Sequence, residues 1–217
     1  MKRTSTDAEY LDSGKLVLDA DGIPFEPASK GYVDQRVPVK MFSGTGSPEG
    51  KVSAPAGSVY TDTAATNGAI RWIKTSGTGA TGWRVEYGDT GWRRLEPVGE
   101  YFTGEGDILL RRINNNVTIK FVGVGVDTQG RTMVYLSEPG YIPVGFRGEY
   151  GDRISFWASN MIANPNYLLT IAQGSRIRYQ LTTATGSHPG TGNQAMRGQG
   201  TWITDSPWPS TLPGTPA

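Results

Sequence analysis

The most regular feature of the chain is a set of short runs in which apolar and polar residues alternate. Trp83-Arg84-Val85-Glu86-Tyr87 sets bulky residues against charged ones. Val117, Ile119 and Phe121 alternate with Thr118 and Lys120, and Ile177, Tyr179 and Leu181 alternate with Arg176, Arg178 and Gln180. A period of two sends successive side chains to opposite faces of a strand, so each run predicts a strand with one buried face. The apolar segments Val59–Asp62, Ala69–Lys74, Thr132–Leu136, Arg153–Ala158 and Tyr167–Ile171 predict further strands. Turn-forming clusters fall between them: Asn114-Asn115-Asn116, Thr128-Gln129-Gly130, Pro139-Gly140, Gly151-Asp152 and Asn164-Pro165-Asn166. Short strands punctuated in this way predict an all-β protein with a sandwich or jelly roll in its C-terminal part.

The pattern changes along the chain and divides it into three stretches. Residues 1–40 form an N-terminal extension with little core of its own. Within it, Leu16-Val17-Leu18, Asp19-Ala20-Asp21-Gly22 and Ile23 predict a small hairpin. The paired aspartates lack the other ligands of a calcium loop and read as a solvated turn. Tyr32, Val33, Arg36 and Val37 have one-turn helical spacing, and Pro38 ends the run. A helix this short needs partner chains or a docking surface to persist. Residues 41–98 predict a small Gly- and Trp-rich β module, with a turn-rich opening at Gly44–Gly50 and a loop at Ser76–Gly82. Thr81-Gly82-Trp83-Arg84 returns as Thr90-Gly91-Trp92-Arg93, too short an echo for a solenoid repeat. Residues 99–217 predict a denser β domain, interrupted by a polar loop near Thr183–Gly192 and closed by an extended Pro-rich tail.

Composition narrows the function more than the fold. The chain has 30 Gly and 14 Pro. Together they make up about a fifth of it, against ~12% in average usage, which suits many tight turns. Lys and Arg number 21 and Asp and Glu 20, so no basic excess points to nucleic acid. No apolar run approaches the ~20 residues of a membrane span, and Met1–Glu9 lacks the apolar core of a signal peptide. Neither nucleic acid nor a membrane is therefore an expected partner. With no Cys, His188 is the only residue of the usual nitrogen or sulfur metal-ligand types. It sits in Gly186-Ser187-His188-Pro189-Gly190 and reads as a surface loop residue. There is no Gly-x-Ser-x-Gly elbow, and Gly50-Lys51 is followed by Val52 rather than completing a phosphate loop. Asn116-Val117-Thr118 matches a glycosylation sequon, which matters only in a eukaryotic secretory pathway. Glu100, Glu105 and Asp107 cluster before a strand; a glycosidase could use such carboxylates, but the setting reads as a solvated edge. The expectation is a structural or binding protein rather than an enzyme, with no catalytic, cofactor or metal residue.

The six tryptophans carry the remaining chemistry. Trp72, Trp83 and Trp92 lie in the middle stretch, and Trp157, Trp202 and Trp208 in the last. At strand positions such as Trp83 and Trp157 an indole predicts core or subunit interface. Loop Trp and Tyr are better placed to stack on sugar rings. No receptor-contact residue is singled out.

The middle stretch also carries a resemblance. Gly44-Thr45-Gly46-Ser47-Pro48-Glu49-Gly50 is followed by Ala54-Pro55-Ala56-Gly57-Ser58-Val59-Tyr60-Thr61-Asp62-Thr63-Ala64-Ala65-Thr66-Asn67-Gly68-Ala69. Trp72-Ile73-Lys74 and Gly82-Trp83-Arg84-Val85-Glu86-Tyr87-Gly88-Asp89-Thr90-Gly91-Trp92-Arg93 complete it. This text resembles a module of tail-fibre and minor tail proteins of bacteriophages, notably those infecting actinobacteria, and covers about a quarter of the chain. Lys30-Gly31-Tyr32-Val33-Asp34 looks like the short segment that precedes fibre domains in such proteins, and Gly200-Thr201-Trp202 with Trp208–Gly214 looks like a fibre tip. The resemblance implies a virion component, usually a homotrimer, anchored to other virion proteins by its N-terminal part and facing host surface carbohydrate with its C-terminal part. It transfers no catalytic or binding residue. The same modules would serve a decoration fibre on the capsid or neck. A polysaccharide-degrading tail enzyme would predict a carboxylate pair in a groove and a longer, repetitive chain.

Overall fold

The structure is a computed structural model that describes residues 39–148, 154–160, 166–172, 175–181 and 194–217. The hairpin and helix expected before Pro38, and the polar loop carrying His188, lie outside the described residues. The described chain is all-β: thirteen strands form one four-stranded and one nine-stranded sheet, and no helix occurs among the described residues.

The smaller sheet runs β1 (Met41–Gly44), β2 (Val59–Asp62), β3 (Ala69–Lys74) and β4 (Trp83–Gly88) in spatial as in chain order. β1 and β2 are parallel, with Met41 opposite Val59 and Gly44 opposite Asp62. The β2–β3 and β3–β4 ladders are antiparallel. A parallel pair cannot be closed by a tight hairpin, and the long connection from Thr45 to Ser58 supplies the return. It also contributes Val52 and Ala54 to the core, where they meet Tyr60, Ala69, Trp72 and Trp83. Phe42 and Tyr60 approach the Trp83 ring edge-on at 6.4 and 6.2 Å. This core is small, so polar locks assist it. The Glu49 carboxylate accepts the backbone N–H groups of Gly82 and Trp83 at 3.1 and 2.7 Å. Lys74 is fully buried, and its ammonium donates to the Ser76 and Thr81 carbonyls, holding the glycine-rich Ser76–Gly82 loop closed.

The larger sheet contains β5 (Arg93–Leu95), β6 (Asp107–Ile113), β7 (Asn116–Val126), β8 (Met133–Tyr135), β9 (Ile154–Asn160), β10 (Asn166–Ala172), β11 (Arg176–Leu181), β12 (Gln194–Ile203) and β13 (Thr215–Pro216). Its order is β13-β5-β6-β7-β12-β9-β10-β11-β8, and every ladder is antiparallel. The alternation in the sequence accounts for its inner face: Ile108, Leu110, Val117, Ile119 and Phe121 from β6 and β7 share one buried cluster with Leu169, Ile171, Ile177 and Tyr179 from β10 and β11. Each such side chain contributes about 1.5–3 kcal/mol on burial.

Strands five places apart in the order, β6 and β11, share this core because the sheet curls. The bend is visible where β7 and β12 pair: Val124 faces Met196 and Val122 faces Arg197, leaving Gly123 as an extra residue at φ 65°. A glycine bulge of this kind sharpens twist and bends the strand. Across the bulge β12 also pairs with β9, through Met196–Gly198. The curl brings the flanks of the sheet together. Tyr141, after β8, donates its hydroxyl to the Glu96 carbonyl after β5 at 2.7 Å, and Gly99 lies so close to Leu136 that a Cβ there would stand 2.0 Å from the Leu136 oxygen.

The two sheets are fastened rather than merely linked. The β6–β7 hairpin turns on two residues, with Asn114 at φ 53°, a conformation Asn tolerates. Asn114 exchanges backbone and side-chain hydrogen bonds with Gly88 at the end of β4, each 2.9 Å long. The C-terminal tail then crosses back: Trp208 packs on the small core, its indole donates to Asn67 O at 3.0 Å, and the Asn67 amide returns a bond to Pro209 O at 2.8 Å. Buried Arg112 donates to the carbonyls of Asn114, Gly145, Ser206 and Pro207, with its guanidinium 4.8 Å from the Trp208 ring. The tail ends as β13 beside β5.

Candidate functional site

The residues singled out for chemistry do not converge. Asp107 is engaged by Arg94 at 2.8 Å, while Glu100 and Glu105 are exposed. Among the described residues no group of three His, Cys, Asp or Glu is arranged to hold a metal ion. His188 lies outside those residues.

The aromatic residues separate into two kinds. Trp72, Trp83 and Trp202 are core residues. The Trp83 indole donates to Val52 O and the Trp202 indole to Phe146 O, both at 2.8 Å, whereas the buried Trp72 Nε1 has no acceptor. The side chain of Trp157 is outside the described set. Trp92 and Trp208 are only half-buried. The sequence echo thus splits: Trp83 enters the small core, whereas Trp92 lies beside the outer face of the large sheet, 4.6 Å from the Lys120 ammonium and 5.7 Å from the Arg111 guanidinium. Asp89 grips Arg111 with both carboxylate oxygens. That hydrogen bond holds the Asp89 carboxyl below its usual range, against the upward push of burial and with help from the Gly91 N–H.

Trp208 forms part of a shallow concavity among the described residues. Pro143, Val144, Pro207, Trp208, Pro209 and Pro213 line a half-open depression of about 440 Å³, with Ser210 and Thr211 adding hydroxyls. Its walls are mostly apolar, with one indole and a few hydrogen-bonding groups. Sequence reading missed this depression because its two sides, residues 143–144 and 207–213, are far apart in the chain and contain no strand alternation.

Compared with protein-family models and with curated proteins, the chain matches none.

Proposed function

We propose that the chain is a bacteriophage virion protein of the tail-fibre or minor-tail type that attaches the particle to carbohydrate on the host surface through its C-terminal part. The observation that carries this reading is the text of the middle stretch, Gly44–Gly50 through Arg93, and its resemblance to fibre modules. In this reading residues 1–40 anchor the chain to other virion proteins, the Tyr32–Val37 segment packs as a short helix among three copies, and the curled larger sheet serves as the distal sandwich-like domain. Attachment needs no catalytic group. Weak sugar contacts repeated over three subunits gain strength through effective concentration.

Two measurements test the proposal. Light scattering on the purified chain is expected to give a trimer, and a monomer would remove the threefold arrangement. Labelled protein is expected to bind bacterial cells and to block adsorption of the phage that carries it. Retention on purified capsids without cell binding would replace the attachment role with a decoration role.

A further inference from the structure

Several charged groups have a partner within the fold. Asp89 holds Arg111, Asp107 holds Arg94, and Glu86 holds Arg71 at 2.7 Å. Arg112 is satisfied by carbonyls and Lys74 by its loop. Two cations on β11 are different. Arg176 and Arg178 stand two positions apart on the outward face of the strand, alternating with buried Ile177 and Tyr179. Neither pairs with a carboxylate among the described residues, and the Nε of each is shielded from solvent without an acceptor. A dry donor left unmade costs about 1–3 kcal/mol, and folded proteins keep few of them. Those shielded Nε atoms are closed to an outside ligand, but the two half-buried cations stand on one face of one strand, about 7 Å apart, with no carboxylate among the described residues to balance them.

An aromatic ring stands beside them. Tyr135 on the edge strand β8 is the cross-strand partner of Arg178, and its ring lies 4.2 Å from the Arg176 guanidinium. Tyr135 is 43% exposed and Met133, the next outward residue of β8, 54%. Gln180 faces Met133 and extends the polar row with an amide.

We propose that Arg176, Arg178 and Tyr135 form a binding site for an acidic saccharide, the guanidinium groups taking an oxyanion on the sugar and the tyrosine ring taking its C–H face. A planar guanidinium matches carboxylate and phosphate geometry, and an exposed ring beside it offers the apolar surface that a simple ion would not use. The choice of a saccharide rather than a nucleic acid rests on the attachment reading above and on the balanced charge of the chain, 21 cationic against 20 anionic residues. A nucleic-acid surface would need a broader positive field.

The test uses the full chain and immobilised probes: a uronate oligosaccharide, a phosphorylated oligosaccharide, neutral dextran and single-stranded DNA. Interferometry at low salt is expected to show binding to at least one of the two acidic carbohydrate probes, and which of them binds identifies the oxyanion. The double variant Arg176→Glu/Arg178→Glu is expected to lose about tenfold or more in affinity. Tyr135→Leu should weaken binding without changing its dependence on salt. Lys120→Glu, a charge reversal on the β6–β7 face, should change affinity by less than about twofold. Thermal unfolding of each variant checks its fold, and Arg178→Gln replaces the double variant if that one unfolds. The site is overturned if no acidic probe binds, if the arginine variants bind like the parent chain, if Lys120→Glu loses as much as they do, or if DNA is preferred. Cell binding separates this result from the attachment reading. Equal binding of parent and arginine variants to cells would leave attachment standing and remove the site. Arginine-dependent glycan binding without any cell binding would do the reverse.

Discussion

The two sheets reach stability by different routes. The nine-stranded sheet encloses a long aliphatic cluster that runs through Ile108, Leu110, Ile119, Leu136, Ile142 and Ile177, all at 0% exposure. The four-stranded sheet buries little beyond Ala54, Tyr60, Ala69, Trp72 and Trp83. It compensates with few, large aromatic rings, with Glu49 and Lys74 closing its loops, and with Trp208 borrowed from the C-terminal tail. Small sheets cannot surround a core by themselves. The lesson is that the smaller unit depends on polar locks and on a distant segment, while the larger depends on apolar burial.

That contrast can be broken at graded points. Phe121→Ala empties a site in the large core that is 2% exposed and is expected to cost about 3–5 kcal/mol. Urea unfolding followed by circular dichroism would read it, and a loss under 1 kcal/mol would contradict a single cooperative core. Trp208→Ala removes the borrowed ring and its bond to Asn67; a half-buried indole should be worth about 2 kcal/mol. The small sheet should respond first, seen as earlier hydrogen exchange at β3 and β4 than at β6 and β7. Exchange that accelerates equally in both sheets would deny the dependence. Glu49→Gln weakens the charge-assisted bonds to Gly82 and Trp83 and is expected to cost about 1 kcal/mol. Its effect on exchange should be confined to the Ser76–Gly82 loop and β4.

Acid supplies the mildest probe. Burial pushes the Asp62 carboxyl up, but the N–H groups of Gly46, Ala65 and Ala64 and the charge of Lys51 outweigh it, so its pKa is lowered. Asp89 is lowered by Arg111. A carboxyl whose folded pKa is depressed adds stability above its unfolded value, near ~4, and loses it as pH falls through the folded value. Both groups therefore favour the folded state at neutral pH and cease to do so in acid. The urea midpoint should fall below about pH 4, and Asp62→Asn/Asp89→Asn should flatten that dependence. An unchanged slope in the double variant would assign the acid sensitivity elsewhere.

Sequence alternation made much of this architecture legible. Val59–Asp62 and Ala69–Lys74 are strands with the bounds expected, and Val117, Ile119, Phe121, Ile177 and Tyr179 face the core as their period of two required. The all-β class follows from these elements. The strands that escaped notice have physical reasons. β6 reads Asp-Ile-Leu-Leu-Arg-Arg-Ile, and its regular inward face appears only when Arg112 is recognised as a buried residue satisfied by carbonyls. The far half of β7 contains Gly123 and Gly125, and the middle of β12 contains Gly198 and Gly200. Glycine reads as a turn in sequence, yet here it lies within long strands and marks their bulge. β1 and β13 are short edge strands whose pairing is set by distant segments. The candidate sites were less legible still. Trp92 and Trp83 share the same local text, and only tertiary context sends one inward and leaves the other beside Lys120. The alternation of Arg176 and Arg178 with buried residues was visible, but the unpaired state of their Nε groups and the nearness of Tyr135 were not.

The parallel pairing of β1 with β2 has a mechanical consequence. β1, β2 and β4 point one way and β3 the other. The start of β1 and the end of β4 therefore lie at opposite ends of the small sheet. Tension applied between residue 39 and the large sheet would run along the strands and load the rungs of each ladder side by side. They would have to shear together, whereas a hairpin pulled from its open end would peel one rung at a time. A sheet built in this way resists abrupt force through its unfolding barrier more than through its equilibrium stability.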